Sequence, residues 1–377
     1  MCSRVTHFVI TDSVMAQVSL FDRLPVELLH GLFNYFLAHE ILFTFSDISD
    51  HVNGALLAYS GYRVNLHGIT KTSYDLLCSR VHPEQVISLT LSDDDYLSEL
   101  FFTRFRIEEF TRLHSLTLIR PEFEQARLIF ANLDKLEHLR RLSFDAATIR
   151  YRYVEFHPRY LLAVTQLLRH SYVQVLPRLT HLHLNSTSSM MNIDLPYLVH
   201  LKLDRCVATQ LNSILRRAAR LQSLQISLVE HTWNTVFDLP TNRLNRLHLK
   251  AEGNQVSMDQ LEWMLIGLPY LKCLTLELTG QRDLLDAQRW QALTSGLHSF
   301  TFRFYLPDHT DHADVRFFST PYWTEKKRWH VARYGRCVFS GSRFIPDHIS
   351  LPEDDVLIST ASDSNFVCSR ATKLTLK

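Results

Sequence analysis

The chain has 377 residues, 46% of them hydrophobic and 21% charged, enough for more than one packed structural unit and unlike the composition of a disordered chain. Forty Lys and Arg against 39 Asp and Glu leave a formal net charge of +1, so the overall balance gives no reason to expect nucleic acid or an anionic membrane as partner. Six scattered cysteines without a CxxC pair or a secretory apolar stretch ahead of them suggest reduced thiols in a cytoplasmic and/or nuclear protein, and no run approaches the ~18 apolar residues of a membrane span.

Residues 1–18 read as a flexible N-terminal tail. From Leu20 to Leu57 the apolar residues recur at helical spacing. Pro25 suits a first helical position, Glu27 meets the positive end of the helix dipole in the first turn, and the helix is predicted to run to about Leu37. Leu24, Leu28, Leu32 and Phe36 form one stripe, and Leu29, Phe33 and Leu37 form a second beside it. With Ile41, Leu42, Phe43, Phe45 and Ile48 close behind, the segment carries more apolar surface than it can hide alone, so a partner helix or groove is expected.

The run Leu24-Pro-Val-Glu-Leu-Leu-His-Gly-Leu-Phe-Asn-Tyr-Phe-Leu37, followed by Ile41-Leu42, resembles an F-box. That resemblance assigns residues 19–61 to a three-helix unit. It implies docking on a Skp-type adaptor, and through it on a cullin–RING ubiquitin ligase, by Leu24, Pro25, Glu27, Leu28, Leu32, Phe33, Leu37, Ile41 and Leu42. The match thins at Asp50-His-Val-Asn53, where many members of the family carry a basic residue and a tryptophan. The other reading of the stretch is a helical cap over the first repeat, which solenoids need in any case.

From Tyr62 one phrase recurs, Leu-x-x-Leu-x-Leu, whose last two leucines point to the same side of a strand. Its clearest copy is Leu179-Thr-His-Leu-His-Leu184. The central apolar residues fall at 64, 89, 116, 142, 182, 201, 224, 247, 274 and 300, with steps of 19 to 27 residues save one of 40. Such a period is the mark of a leucine-rich-repeat solenoid, right-handed, with a parallel sheet on the concave face and helices on the convex one. The fold class is therefore α/β, with the solenoid over residues 62–304. Outer helices are expected at about 72–81, 96–110, 123–136, 160–176, 209–220, 258–267 and 284–295, and none in 186–197 or 228–242. Asp94, Thr187, Cys206, Glu252 and Thr279 stand where the consensus asparagine belongs.

After Tyr305 the period stops. Residues 305–377 read as an irregular insertion ending in a closing strand at Leu374-Thr-Leu376, with the part from Leu306 to Ser340, rich in charges and holding Pro307 and Pro321, expected to lie off the solenoid as its most mobile segment.

Motifs for chemistry are absent. There is no glycine-rich phosphate loop, HExxH, GxSxG or kinase signature, and the sequence suggests neither an enzyme nor a cofactor. The run Asp308-His-Thr-Asp-His-Ala-Asp314 reads as a solvated loop, and no metal site is assigned. The informative surface is the outward face of the strands, where His181, His183, His200, Lys202, Arg246, His248 and Lys250 gather with Asp204 as the one carboxylate assigned there. These residues suit an acidic or phosphorylated protein segment, and protonated histidines would add to its binding as pH falls.

Joined to the repeats, the F-box resemblance implies a substrate-recognition subunit of an SCF-type ligase that performs no chemistry itself and holds a protein target of unknown identity. Two other readings stay open: a ligase-independent interaction scaffold, and a metal-dependent enzyme using the histidine face.

Overall fold

A computed structural model describes residues 20–92, 97–144, 173–186, 193–228, 243–306, 315–334, 336–340 and 358–360. Three short helices come first: α1 (Val26–Phe33), α2 (Ala38–Phe45) and α3 (Asp50–Ala58). The predicted helix to Leu37 is thus broken. Asn34 caps α1, and Leu37 is extended, with its N–H held by the Glu40 carboxylate at 2.7 Å to start α2. The break folds the second apolar stripe inward. Leu29, Phe33, Ile41, Leu42 and Phe45 form the core of this unit, with Phe33 set between Phe45 and Tyr59.

The repeats follow as β1 (Tyr62–Asn65), α4 (Lys71–Arg80), β2 (Val86–Ser92), α5 (Leu97–Arg104), β3 (Ser115–Ile119), α6 (Phe123–Ala131) and β4 (Arg141–Phe144). Then come β5 (His181–Ser186), β6 (His200–Cys206), α7 (Ala208–Arg217), β7 (Ser223–Leu228), β8 (Arg246–Val256), α8 (Met258–Ile266), β9 (Cys273–Gly280), α9 (Ala287–Thr294) and β10 (Ser299–Tyr305). Strands β1 to β10 pair in chain order and parallel throughout. Leu89, Leu116, Leu142, Leu182, Leu201, Leu224, Leu247, Leu274 and Phe300 stand opposite one another as one buried ladder. A one-residue slip would turn a whole ladder to solvent, so the leucines also set the register. Each buried leucine contributes roughly 1.5–3 kcal/mol. Of the helix expected at 160–176, residues 173–176 are described and helical, and the rest, like the stretches 187–192 and 229–242 and the closing strand at 374–376, lies outside the described residues.

The helical unit is tied to the first repeat by directed bonds. Arg63 on β1 donates to Asn34 O at 2.7 Å and Phe36 O at 3.1 Å, covering carbonyls at the end of α1. The Tyr62 hydroxyl donates to Leu56 O at 2.9 Å, and Gln85 donates to Leu57 O at 2.7 Å.

The segment from Leu306 to Ser340 departs from expectation. Its described part packs on the solenoid, burying Leu306, Val315, Phe318, Trp323, Val331, Val338 and Phe339. A π-helical turn, Tyr322–Lys327, places Lys327 Nζ on Ser295 O at 3.0 Å and Leu297 O at 2.6 Å. Strands β11 (Val331–Tyr334) and β12 (Cys337–Ser340) then turn the sheet antiparallel, in the order β10-β12-β11-β13, with β13 at Ile358–Ser359. Apolar burial at irregular spacing does here what the leucine period does elsewhere.

Candidate functional site

Side chains pointing away from the leucine ladder form rows across the strands. One row runs Arg141, His181, His200, Ser223, Arg246, Cys273 and Ser299; the next runs Ser143, His183, Lys202, Gln225, His248, Thr275 and Thr301. Parallel pairing brings His181, His183, His200, Lys202, Arg246, His248 and Lys250 to one face because each sits at an alternate position of its strand.

Much of the second row is satisfied internally. Asp204 accepts from His183 Nε2 at 2.7 Å and lies 3.3 Å from Lys202 Nζ, while the Ser143 hydroxyl is 2.9 Å from His183 Nδ1. A charged Asp204 puts the ring proton on Nε2, so Ser143 donates to Nδ1. His248 Nε2 is 3.1 Å from Glu277 Oε1, and Lys250 has interactions of its own.

The first row is less satisfied. His181 and His200 stack with ring centres 4.2 Å apart. Burial, then His200 and Arg141, push the His181 pKa down to about 4; burial, then Arg246 and Arg141, push His200 down. Both rings therefore take up a proton less readily than a free histidine does. Among the described residues neither Arg141 nor Arg246 has an ion-pair partner. A groove of about 260 Å³ opens over β3 to β7, lined by Thr117, Arg141, His181, His200, Ser223 and Gln225 among others. Arg141, Thr117 and Gln225 were absent from the docking set expected from sequence; the sign that would have found Arg141 is its place in register with His181.

Among the described residues, no three His, Cys, Asp or Glu side chains gather as metal ligands. The Asp308–Asp314 run lies outside the described residues. Cys78, Cys206, Cys273 and Cys337 are free thiols, and no helix among the described residues is long and apolar enough to cross a membrane.

The adaptor-contact set divides. Phe33, Ile41 and Leu42 are wholly buried in the helical unit's own core, so they present no free face; Leu24, Leu32 and Leu37 are half-buried. Pro25, Glu27 and Leu28 are exposed, and elsewhere in the unit Leu20, Tyr35, Phe43 and Leu57 stand 81%, 83%, 78% and 66% exposed. Sequence spacing showed the excess of apolar side chains but not which of them folding would leave outside.

No protein-family model matches the sequence, and no curated protein matches it. Among solved structures, the leucine-rich repeat-containing protein LegL7 from Legionella pneumophila is similar over 70% of this chain and 87% of that chain, with a TM-score of 0.40 and 13% identity.

Proposed function

We propose that the protein is the substrate-recognition subunit of an SCF-type ubiquitin ligase. In this reading the N-terminal helices hold a Skp-type adaptor and the concave sheet face holds a segment of a protein target bearing negative charge. The observation that carries it is the group of exposed apolar side chains, Leu20, Leu28, Tyr35, Phe43 and Leu57, on a helical unit whose own core is already filled. Apolar surface left over after the core is complete lowers free energy only when a partner covers it. The protein would perform no bond chemistry; its effect is proximity, raising the local concentration of a target lysine near a charged ubiquitin carrier. No cofactor, nucleic acid or membrane enters this reading, and its place is the cytoplasm or nucleus.

The test is co-purification with the adaptor. Leu28→Asp places a charge on an exposed position and is expected to abolish capture while the protein stays folded. Capture at the wild-type level would refute the adaptor assignment of this face. The burial of Phe33, Ile41 and Leu42, and the bonds from Arg63 and Gln85, favour a second reading in which the unit caps the first repeat of a ligase-independent scaffold. Wild-type protein that binds no adaptor would leave that one standing.

A further inference from the structure

We propose that the groove at the N-terminal ends of β4 to β6, around Arg141, His181 and His200, seats a phosphate monoester carried on the target's docking segment. This deepens the proposed docking role of the concave face and rests on it. The argument starts from which charges are spent. Asp204 is shared by Lys202 and His183, and Glu277 pairs with His248, so the second row presents little net charge to a ligand. Arg141 and Arg246 keep their charge in the first row. Only Arg141 lines the groove, beside both stacked histidines and the hydroxyls of Thr117 and Ser223.

This donor set suits a tetrahedral oxyanion better than a carboxylate. A planar guanidinium takes two oxygens in parallel, and the hydroxyls and ring N–H groups around it exceed what the remaining lone pairs of a two-oxygen group can use. The groove floor is the strand backbone at Leu116, Leu142, Leu182 and Leu201, whose side chains are buried on the other side, so the seat is fixed by the sheet and loses little entropy on filling. At about 260 Å³ it has room for one modified side chain.

A consequence follows for pH. The charged and titratable groups facing the histidine pair are Arg141 on β4, His183 on β5, Lys202 and Asp204 on β6 and Arg246 on β8. Burial first, and then the arginines, oppose protonation of the pair. An anion set among the arginines offsets their share, so the filled seat takes up a proton and affinity rises as pH falls toward the pKa of the unfilled one.

Calorimetric titration of the full chain with inorganic sulfate tests this, because sulfate stays a dianion across the pH range used. Binding is expected to be tighter at pH 5.5 than at pH 7.5, with proton uptake seen as a heat that depends on the buffer. Arg141→Gln, an exposed substitution, should weaken it roughly ten- to a hundredfold, as expected for lost charge-assisted hydrogen bonds. Arg246→Gln should weaken it far less. A phosphoserine peptide of otherwise neutral sequence should compete with sulfate, and its serine counterpart should not. Unchanged sulfate binding in Arg141→Gln, a larger loss in Arg246→Gln, absence of proton uptake, or binding of free anions without the phosphopeptide would each overturn the proposal. Adaptor capture measured on the same samples separates the two readings: Arg141→Gln that keeps the adaptor tests the seat alone, and wild-type protein that binds sulfate without adaptor overturns the ligase reading alone.

Discussion

The N-terminal helices and the outward sheet face solve opposite surface problems. In the helical unit the interior is saturated, with Leu29, Phe33, Ala38 and Ile41 fully buried, and the surplus is apolar: Leu28, Tyr35, Phe43 and Leu57 face solvent. On the sheet the surplus is polar, and most of it is already paired side by side, through Ser143, His183, Asp204 and Lys202 and through His248 and Glu277. Covering the first surface releases water from apolar groups and gains affinity with little demand on sequence. Covering the second exchanges existing hydrogen bonds for new ones, so it gains selectivity more than affinity. A molecule with both has one end fit for a constant partner and one for a chosen partner.

Four measurements would break or sharpen this contrast. Phe33→Ala should cost roughly 3–5 kcal/mol of stability, as large-to-small changes in packed aromatic cores do, whereas Leu28→Ala, at 59% exposure, should be close to neutral. Equal losses in denaturant titrations would make Leu28 part of the core and end the distinction. Ser340→Ala should cost about 1–3 kcal/mol, because the buried hydroxyl accepts from Phe302 N–H at 2.8 Å where the sheet turns antiparallel. That loss should appear as early opening of the C-terminal cap in hydrogen exchange; no change in protection there would show the bond to be idle.

Asp204→Asn should cost less than about 1 kcal/mol, since partly exposed ion pairs contribute little. A loss as large as that of Phe33→Ala would mean the polar rows hold the sheet together and are not available for ligands. The last effect is that of pH on His181. The fold favours its neutral ring, so between pH 6.5 and about 4 the unfolded chain binds the proton more readily. The contribution of this group to stability is therefore intact above that window and falls as pH drops through it. His181→Asn should lose less stability than wild type between pH 7 and pH 4 in thermal melts; parallel curves would contradict the assignment.

The strands were legible in the sequence because their signal is local: a leucine two residues from another fixes a face, and the near-constant step fixes the stacking. The same logic put His181, His183, His200, Lys202, Arg246 and His248 on one surface. It could not show which charges cancel, because the contact of Asp204 with His183 crosses from one strand to the next on a diagonal set by side-chain rotamers. The break after Phe33 was hidden for a different reason. No Pro or Gly marks it, and the cap of α2 is a leucine N–H bound by Glu40, a pattern without the usual Ser, Thr, Asp or Asn. Around Trp323 the pattern failed because a cap packs by volume: Trp323 sits between Phe318 and Trp329, and no period describes three large rings meeting.

The grip of Arg63 on the carbonyls of Asn34 and Phe36 turns the solenoid into a gauge. Strands in a sheet are about 4.8 Å apart, and the groove centres on β5, four strands from β1, so the helices and the groove are held about 19 Å apart along the sheet. Under the proposed function, that length fixes where a docked target lies relative to the ligase. Inserting one further repeat between β2 and β3 would lengthen the gauge by about 5 Å and rotate it by one step of sheet twist, with both surfaces unchanged. Such a protein would bind everything the original binds and present the wrong lysine.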